Sequence, residues 1–214
     1  MKFVKYRRYD DYRWECLKTA TLVGKYDMPL LKAVTEAEPR NLVPFNEASR
    51  HGHPEDSWFH TYVDDYRFEQ LWTSPKKYLP LLARFEGGLT PDFSVLLDGY
   101  MPTQIWNCWR NRVIALWMQE QGLNVVPNVS WSDEESLEWA FDGIPEYSVL
   151  SITTQGCMRK LVCMQSLING LHELERRKHP LKIIVYGSFR DEWRDKFSVP
   201  FQVFQTFMAA KRCA

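Results

Sequence analysis

From Trp58 onward, short β-rich runs alternate with longer helical stretches, and this rhythm limits the chain to few folds. The runs are "WFHTYVDD", "LTPDFSV", "LNVVPNVSW", "YSVLSITTQG" and "LKIIVYGS". The last is apolar on both faces, as a strand covered on both sides must be. Between the runs lie "YRFEQLWTSPKKYLPLLARFEGG", "MPTQIWNCWRNRVIALWMQEQG" and "CMRKLVCMQSLINGLHELERRKHP". In the second of these, Ile105, Trp109, Val113, Leu116 and Trp117 recur at three- and four-residue spacing, and Gly122 closes the helix. Ser74 and Pro75 read as N-cap and first helical residue, "SDEE" at 132–135 as a capping box, and Pro180 as a helix stop. Strand and helix in repeated alternation, with short connectors, predict an α/β protein with a mostly parallel sheet. Five such units fall short of the eight of a closed barrel, so the expected sheet is open or half-barrel-like.

Ahead of Trp58 the pattern is mixed, and "AEPRNLVPFNEASRHGHPED" is a proline- and polar-rich connector. Residues 1–57 therefore read as an irregular N-terminal arm and 58–214 as the α/β domain. The tail beyond "LKIIVYGS" reads as a short helix and an ambiguous apolar segment. A chain of 214 residues can bury a core of this size, and 45% hydrophobic with 25% charged residues excludes disorder. The 27 basic and 27 acidic residues cancel, so no global field draws the chain to nucleic acid or an anionic membrane. No run approaches the ~18 apolar residues that a membrane span needs. The charged N-terminus has no signal-peptide core. Five cysteines without a C-x-x-C pair or framework spacing predict free thiols in a reducing compartment, the cytoplasm.

In parallel α/β sheets, ligands bind outside the carboxyl ends of the strands. Those ends carry Asp64, Asp65 and Arg67; Asp92 and Ser94; Asn128, Ser130 and Trp131; Thr153, Thr154, Gln155 and Gly156; and Tyr186. Asp, Asn, Ser and Gly also serve turns and caps, and Asp65, Ser132 and Thr154 each suit a cap. Three chemistries compete. Asp64, Asp65 and Asp92 suit a Mg²⁺ ion together with substrate phosphate oxygens. A pair such as Asp65 and Asp92 suits general acid–base work. "TTQG", with Thr153, Thr154 and Gly156, suits an anion seat at a helix start, although it lacks the P-loop's Gly-Lys-Ser/Thr ending. Of Arg110 and Arg112, which cannot share one helix face, Arg112 is the expected clamp, with Arg67 as a second. Asn128 is the orienting group, and Trp131 and Tyr186 offer stacking surfaces. "HGH" (His51, His53) lacks acidic or thiol partners at ligand spacing, and Cys157 lacks a nearby His.

The blocks "YVDDYRFEQLW", "TPDFS", "WRNRVIALWMQEQGLNVVPNVSW", "FDGIP", "SVLSITTQG" and "IIVYG" resemble an uncharacterised domain-of-unknown-function family found in bacteria and their phages. The resemblance covers about 58–187. It implies an intracellular, phage or mobile-element setting and carries no reaction with it. Three functions stay open at this point. One is binding, or binding and hydrolysis, of a small anionic, phosphate-bearing, nucleotide-like ligand at the strand ends. A second is nucleic-acid binding through "KYRRYDDYRW" and "RRKHPLK". The third is a non-enzymatic inhibitor of a host factor, acting through exposed aromatics.

Overall fold

The computed structural model describes residues 12–206. The chain first makes a small antiparallel hairpin, β1 (Leu22–Val23) with β2 (Met28–Pro29). It then lays down β3 (Leu42–Pro44), β4 (Trp58–His60), β5 (Gly87–Leu89) and β6 (Val125–Val126), all parallel and adjacent in chain order. A second parallel ladder holds β7 (Val149–Thr153), β8 (Lys182–Tyr186) and β9 (Phe201–Phe204). The two ladders continue into one another through a parallel bridge between Asn128 and Ser151. There the Val129 amide donates to the Ser151 carbonyl at 2.8 Å and the Ser151 amide to that of Pro127 at 2.9 Å. The crossovers contain α1 (Gln70–Thr73) and α2 (Pro75–Leu82), α3 (Met101–Glu120), α4 (Leu161–Lys178) and α5 (Asp191–Arg194).

Strand alternation splits the sheet into two faces. The outer face buries Phe59 and Val125 against Val113, Ile114 and Trp117 of α3. It also buries Leu150, Ile152, Ile183 and Val185 against Ala115 and Leu116 of α3 and Leu167, Leu171 and Leu174 of α4. The inner face gathers Trp58, Tyr62, Leu89, Val126, Val149, Ile184 and Tyr186 into one cluster, with Leu42 of β3 and Phe204 of β9 packed on it. Residues from the two edge strands meet there because the sheet curls. The His60 and Tyr186 rings lie 4.2 Å apart, and Gln202 donates to the Pro39 carbonyl at 2.9 Å. No β3–β9 ladder forms, so the sheet is a curled, open one rather than a closed barrel.

Several boundaries differ from the expectation for physical reasons. The second strand is Gly87–Leu89 rather than "LTPDFSV". A Cβ at Gly87 would meet the Trp58 ring at 2.6 Å, and one at Gly88 the Phe59 ring at 2.2 Å. Two glycines thus let two bulky neighbours pair across β4–β5, which outweighs glycine's low strand propensity. The connector contributes β3, and the ambiguous tail contributes β9. In "SDEE" the capping oxygen is that of Asp133, which accepts from the Ser136 amide at 3.0 Å, while the Ser132 hydroxyl bonds Gln104 at 3.0 Å. After "TTQG" the chain makes only a short 3-10 turn (Cys157–Arg159) before α4 begins at Leu161.

Candidate functional site

The segment after β5 is fastened on every side. The Asp92 amide donates to the Thr61 hydroxyl at 2.9 Å. Asn111 of α3 brackets Phe93, accepting from its amide at 2.7 Å and donating to its carbonyl at 3.1 Å. The Asp65 carboxylate accepts from the Ser94 amide at 3.2 Å and from its hydroxyl at 2.8 Å, and Asn107 donates to the Ser94 carbonyl at 2.7 Å. Arg110, paired with Glu69 at 2.9 Å, lies 3.5 Å over the Phe93 ring. Phe93 is buried and the backbone on either side of it is held, which places the Asp92 side chain beside β6. It meets Asn128, whose amide nitrogen donates to Asp92 Oδ1 at 2.8 Å. Asn128 Oδ1 in turn accepts from the Tyr62 hydroxyl at 2.9 Å. A chain of donors, Tyr62 to Asn128 to Asp92, therefore ends on one carboxylate oxygen.

Asp92 lies where two cavities meet. One, of about 690 Å³, opens at the mouth of the curled sheet. The other, of about 350 Å³, lies between residues 94–98, residues 129–132 and the start of α4. Both are lined by Asp92, Ser94, Thr153, Gln155 and Gly156. The walls differ in character. The larger cavity is the more polar of the two, with Asn46, Glu47, Asp64 and Arg67 beside Tyr62 and Tyr186. The smaller is mostly apolar, with Val95, Leu97, Val129, Trp131, Ile152 and Leu167 among its lining. Burial pushes the Asp92 carboxyl up to about 6, and the nearby Asp65 carboxylate adds to this, against the pull of Asn128, Ser130 and Arg112. The buried Ser130 hydroxyl is thus a second neutral side-chain group that favours the ionised carboxylate. Burial and the Asp92 charge raise Tyr62, which stays a phenol.

The strand-end residues divide into three groups. Asp92, Ser94, Thr153 and Gly156 line both cavities; Asp64, Arg67 and Tyr186 line the larger and Trp131 the smaller. Asp65 and Asn128 stand one bond behind, holding Ser94 and Asp92. Arg112 and Thr154 are employed elsewhere. Fully buried Arg112 donates to the carbonyls of Asn128 (3.1 Å), Ala140 (2.8 Å) and Asp142 (3.2 Å), so its guanidinium binds backbone rather than a cavity. The Thr154 hydroxyl donates to the Ser188 carbonyl at 2.8 Å. In "TTQG" the Thr154 amide donates to Tyr186, that of Gln155 to the Thr153 hydroxyl and that of Cys157 to Thr154, so these three donors serve the turn. Arg67 is ion-paired with Asp64 at 3.3 Å.

Among the described residues, no group of three or more His, Cys, Asp or Glu is placed to hold a metal ion. His51 bonds the Ser57 hydroxyl at 2.9 Å, and exposed His53 faces Glu55. In the second basic cluster, Arg176 pairs with Glu173 at 2.7 Å, Arg177 donates to the Leu137 carbonyl, and Lys182 binds Ala37 and Glu38. Most of "KYRRYDDYRW" and all of Cys213 fall outside the described residues; Cys108, Cys157 and Cys163 are free among the described residues. No helix among the described residues is long and apolar enough to cross a membrane. Sequence reasoning missed Tyr62, Asn46 and Glu47. Tyr62 follows Trp58 and His60 at period two, so the inner-face alternation carries its signal. Asn46 and Glu47 had none, because they follow a strand hidden in the connector.

Fold and site together define an α/β protein with a curled parallel sheet and a cavity at the carboxyl edge of its strands. Residues 20–206 match the family described as a domain of unknown function, DUF4417, and the chain belongs to that family. It is 34% identical over 167 residues to the Gene 1 protein of Mycobacterium phage D29, spanning 77% of this chain and 62% of that protein. To the Gene 1 protein of Mycobacterium phage L5 it is 31% identical over 167 residues, 77% of this chain and 72% of that protein. The match thus spans less than two thirds of the D29 protein's length. No solved structure is a significant match.

Proposed function

We propose that this chain binds a small ligand at the carboxyl edge of its strands and that Asp92 exchanges a proton with it. The observation that carries this reading is Asp92 itself: a carboxylate at the junction of two cavities, oriented through one oxygen by Asn128 and titrating near neutral pH, at about 6. A group of this kind serves as general base when ionised and as general acid when protonated. Hydrolysis of a bound ligand, by a water activated at Asp92, fits the same geometry. Of the ligand classes the strand ends suit, the phosphate-bearing one has Arg67 and Lys160 to draw on, at different cavities. Glu47, Asp64, Asp92 and Asp98 oppose it, and Arg112 and the Thr154 and Gln155 amides do not assist.

A thermal-shift screen of a metabolite panel, including nucleotides with and without Mg²⁺, tests the proposal against Asp92→Asn. A ligand at a hundred times its Kd adds about 2.7 kcal/mol, which raises the Tm of a domain this size by roughly 5–10 °C. The expected result is a shift in the wild-type chain that shrinks in Asp92→Asn. A panel without any shift, or shifts indifferent to the substitution, would overturn the proposal.

A further inference from the structure

The two cavities that share Asp92 are unlike in chemistry, and a ligand that fills both has to be unlike at its two ends. In the larger cavity, Glu47, Asp64 and Asp92 supply carboxylates against one guanidinium, Arg67, already paired with Asp64. Among its neutral groups, Gln155 can donate or accept, while Asn46 offers an acceptor. Asn46 directs its amide nitrogen to Glu47 at 3.1 Å, leaving its buried Oδ1 without a donor among the described residues. The hydroxyl of Thr153 is spent on the Tyr186 carbonyl at 3.1 Å. The rings of Tyr62 and Tyr186, stacked 5.3 Å apart, form part of the wall. Carboxylates, an orphaned carbonyl oxygen and aromatic rings are the groups that recognise an organic cation.

The smaller cavity is mainly apolar, with Asp98 and Lys160 also in its lining. Val95, Leu97, Val129, Ile152 and Leu167 line it together with the Trp131 indole, which is fixed by its bond to the Ser166 carbonyl at 3.0 Å. Gly170 makes room for that indole on α4, since a Cβ there would lie 2.0 Å from its nitrogen. Leu96 and Val162 at the rim are exposed, so apolar surface continues to the entrance. A volume of about 350 Å³ admits one ring system or a short branched chain.

Resting on the ligand-binding reading above, we infer that the ligand is an amphipathic organic cation. Its ammonium or guanidinium group sits in the polar cavity among Glu47, Asp64 and Asp92, and its apolar arm crosses Asp92 into the cavity lined by Trp131. The ligand donates hydrogen bonds to the site instead of accepting them. A phosphate would meet three carboxylates across the same space.

Matched probes test the charge directly. Tryptamine, tryptophol and indole-3-propionate share one ring and differ in carrying a cationic, neutral or anionic end; AMP represents the phosphate class. Binding to the full chain is followed by ligand-observed NMR at pH 7.5 and low salt. Tryptamine is expected to bind at least tenfold more tightly than the other indoles. The double variant Glu47→Gln, Asp64→Asn should weaken tryptamine about tenfold and leave tryptophol unchanged. If indole-3-propionate or AMP binds more tightly than tryptamine and loses affinity in Asp92→Asn, the charge assignment falls while the site stands. If no probe binds, the cation is wrong; if the metabolite panel is also silent, the site reading falls with it.

Discussion

Two charges of opposite sign, fully buried Arg112 and half-buried Asp92, stand in contrasting surroundings. Around Arg112 the backbone converges: three carbonyls, from Asn128, Ala140 and Asp142, receive its guanidinium. Around Asp92 the protein supplies a hydrogen-bonding donor from Asn128 to one oxygen and then opens into two cavities. A buried charge with its bonds made is a fastener, because removing it strands its partners. A buried charge left partly unmet carries a desolvation cost that a ligand can relieve. The contrast separates a structural charge from a candidate functional one, and four measurements can break or refine it.

The largest effect is expected at Arg112. Arg112→Ala removes three hydrogen bonds to backbone carbonyls, those of Asn128 and Ala140 buried, and should lower stability by about 3–5 kcal/mol, read as a fall in the urea midpoint. A loss below about 1 kcal/mol would mean that Arg112 is no fastener.

Asp92 should behave in the opposite sense. Its folded value, about 6, lies above the ordinary 3.8, so between these pH values the native state holds a proton that the unfolded chain has released. Its contribution to stability is therefore greatest below pH 4 and is lost as pH rises through 6. Asp92→Asn removes that penalty and should stabilise the chain at pH 8 by up to about 3 kcal/mol, with the gain shrinking at pH 4. Destabilisation at pH 8 would place Asp92 among the fasteners.

His60 gives an intermediate case. Its Nδ1 accepts from the Tyr62 amide at 3.0 Å, its Nε2 has no partner among the described residues, and burial pulls it down to about 3. The unfolded chain takes up the proton below the ordinary 6.5 while the native state refuses it, so stability falls as pH drops from 6.5 toward 3. At pH 5 the cost is about 2 kcal/mol. His60→Asn keeps an acceptor for Tyr62 and does not titrate; its melting temperature should fall less between pH 7 and 5 than that of the wild type. Parallel curves for the two proteins would remove His60 from the account.

The smallest effect concerns the Tyr62–Asn128–Asp92 chain. Asn128 lowers the Asp92 value, so Asn128→Ala should raise it further, by an amount worth about 1 kcal/mol. Carboxyl ¹³C NMR titration of Asp92 reads this directly, and an unchanged midpoint would show that Asn128 only packs there.

Much of this architecture was legible in the residues. The alternation from Trp58 announced a parallel α/β sheet, and the strand-end rule put Asp92, Ser94, Thr153 and Tyr186 on one edge before any contact was known. β3 was hidden because three residues in a proline-rich stretch show no period. β5 was misplaced because glycines read as a turn until the Trp58 and Phe59 rings beside them are seen. Arg112 was misread for a related reason. A guanidinium suits an anion or three carbonyls equally well, and nothing near position 112 announces the loop at 140–142.

Local pattern by itself determined the fold class, the edge on which polar groups gather and the residue types available there. These depend on periodicity and turn chemistry, which act over a few residues. Only the tertiary structure decided which polar groups are consumed and which are left facing space. Tyr62 reaches Asn128 across 66 positions and Asn128 reaches Asp92 across 36, and the pairing of distant strands makes both contacts. Hydrogen-bond satisfaction is a property of three-dimensional proximity, so the difference between Arg112 and Asp92 arises only once the chain has closed around them.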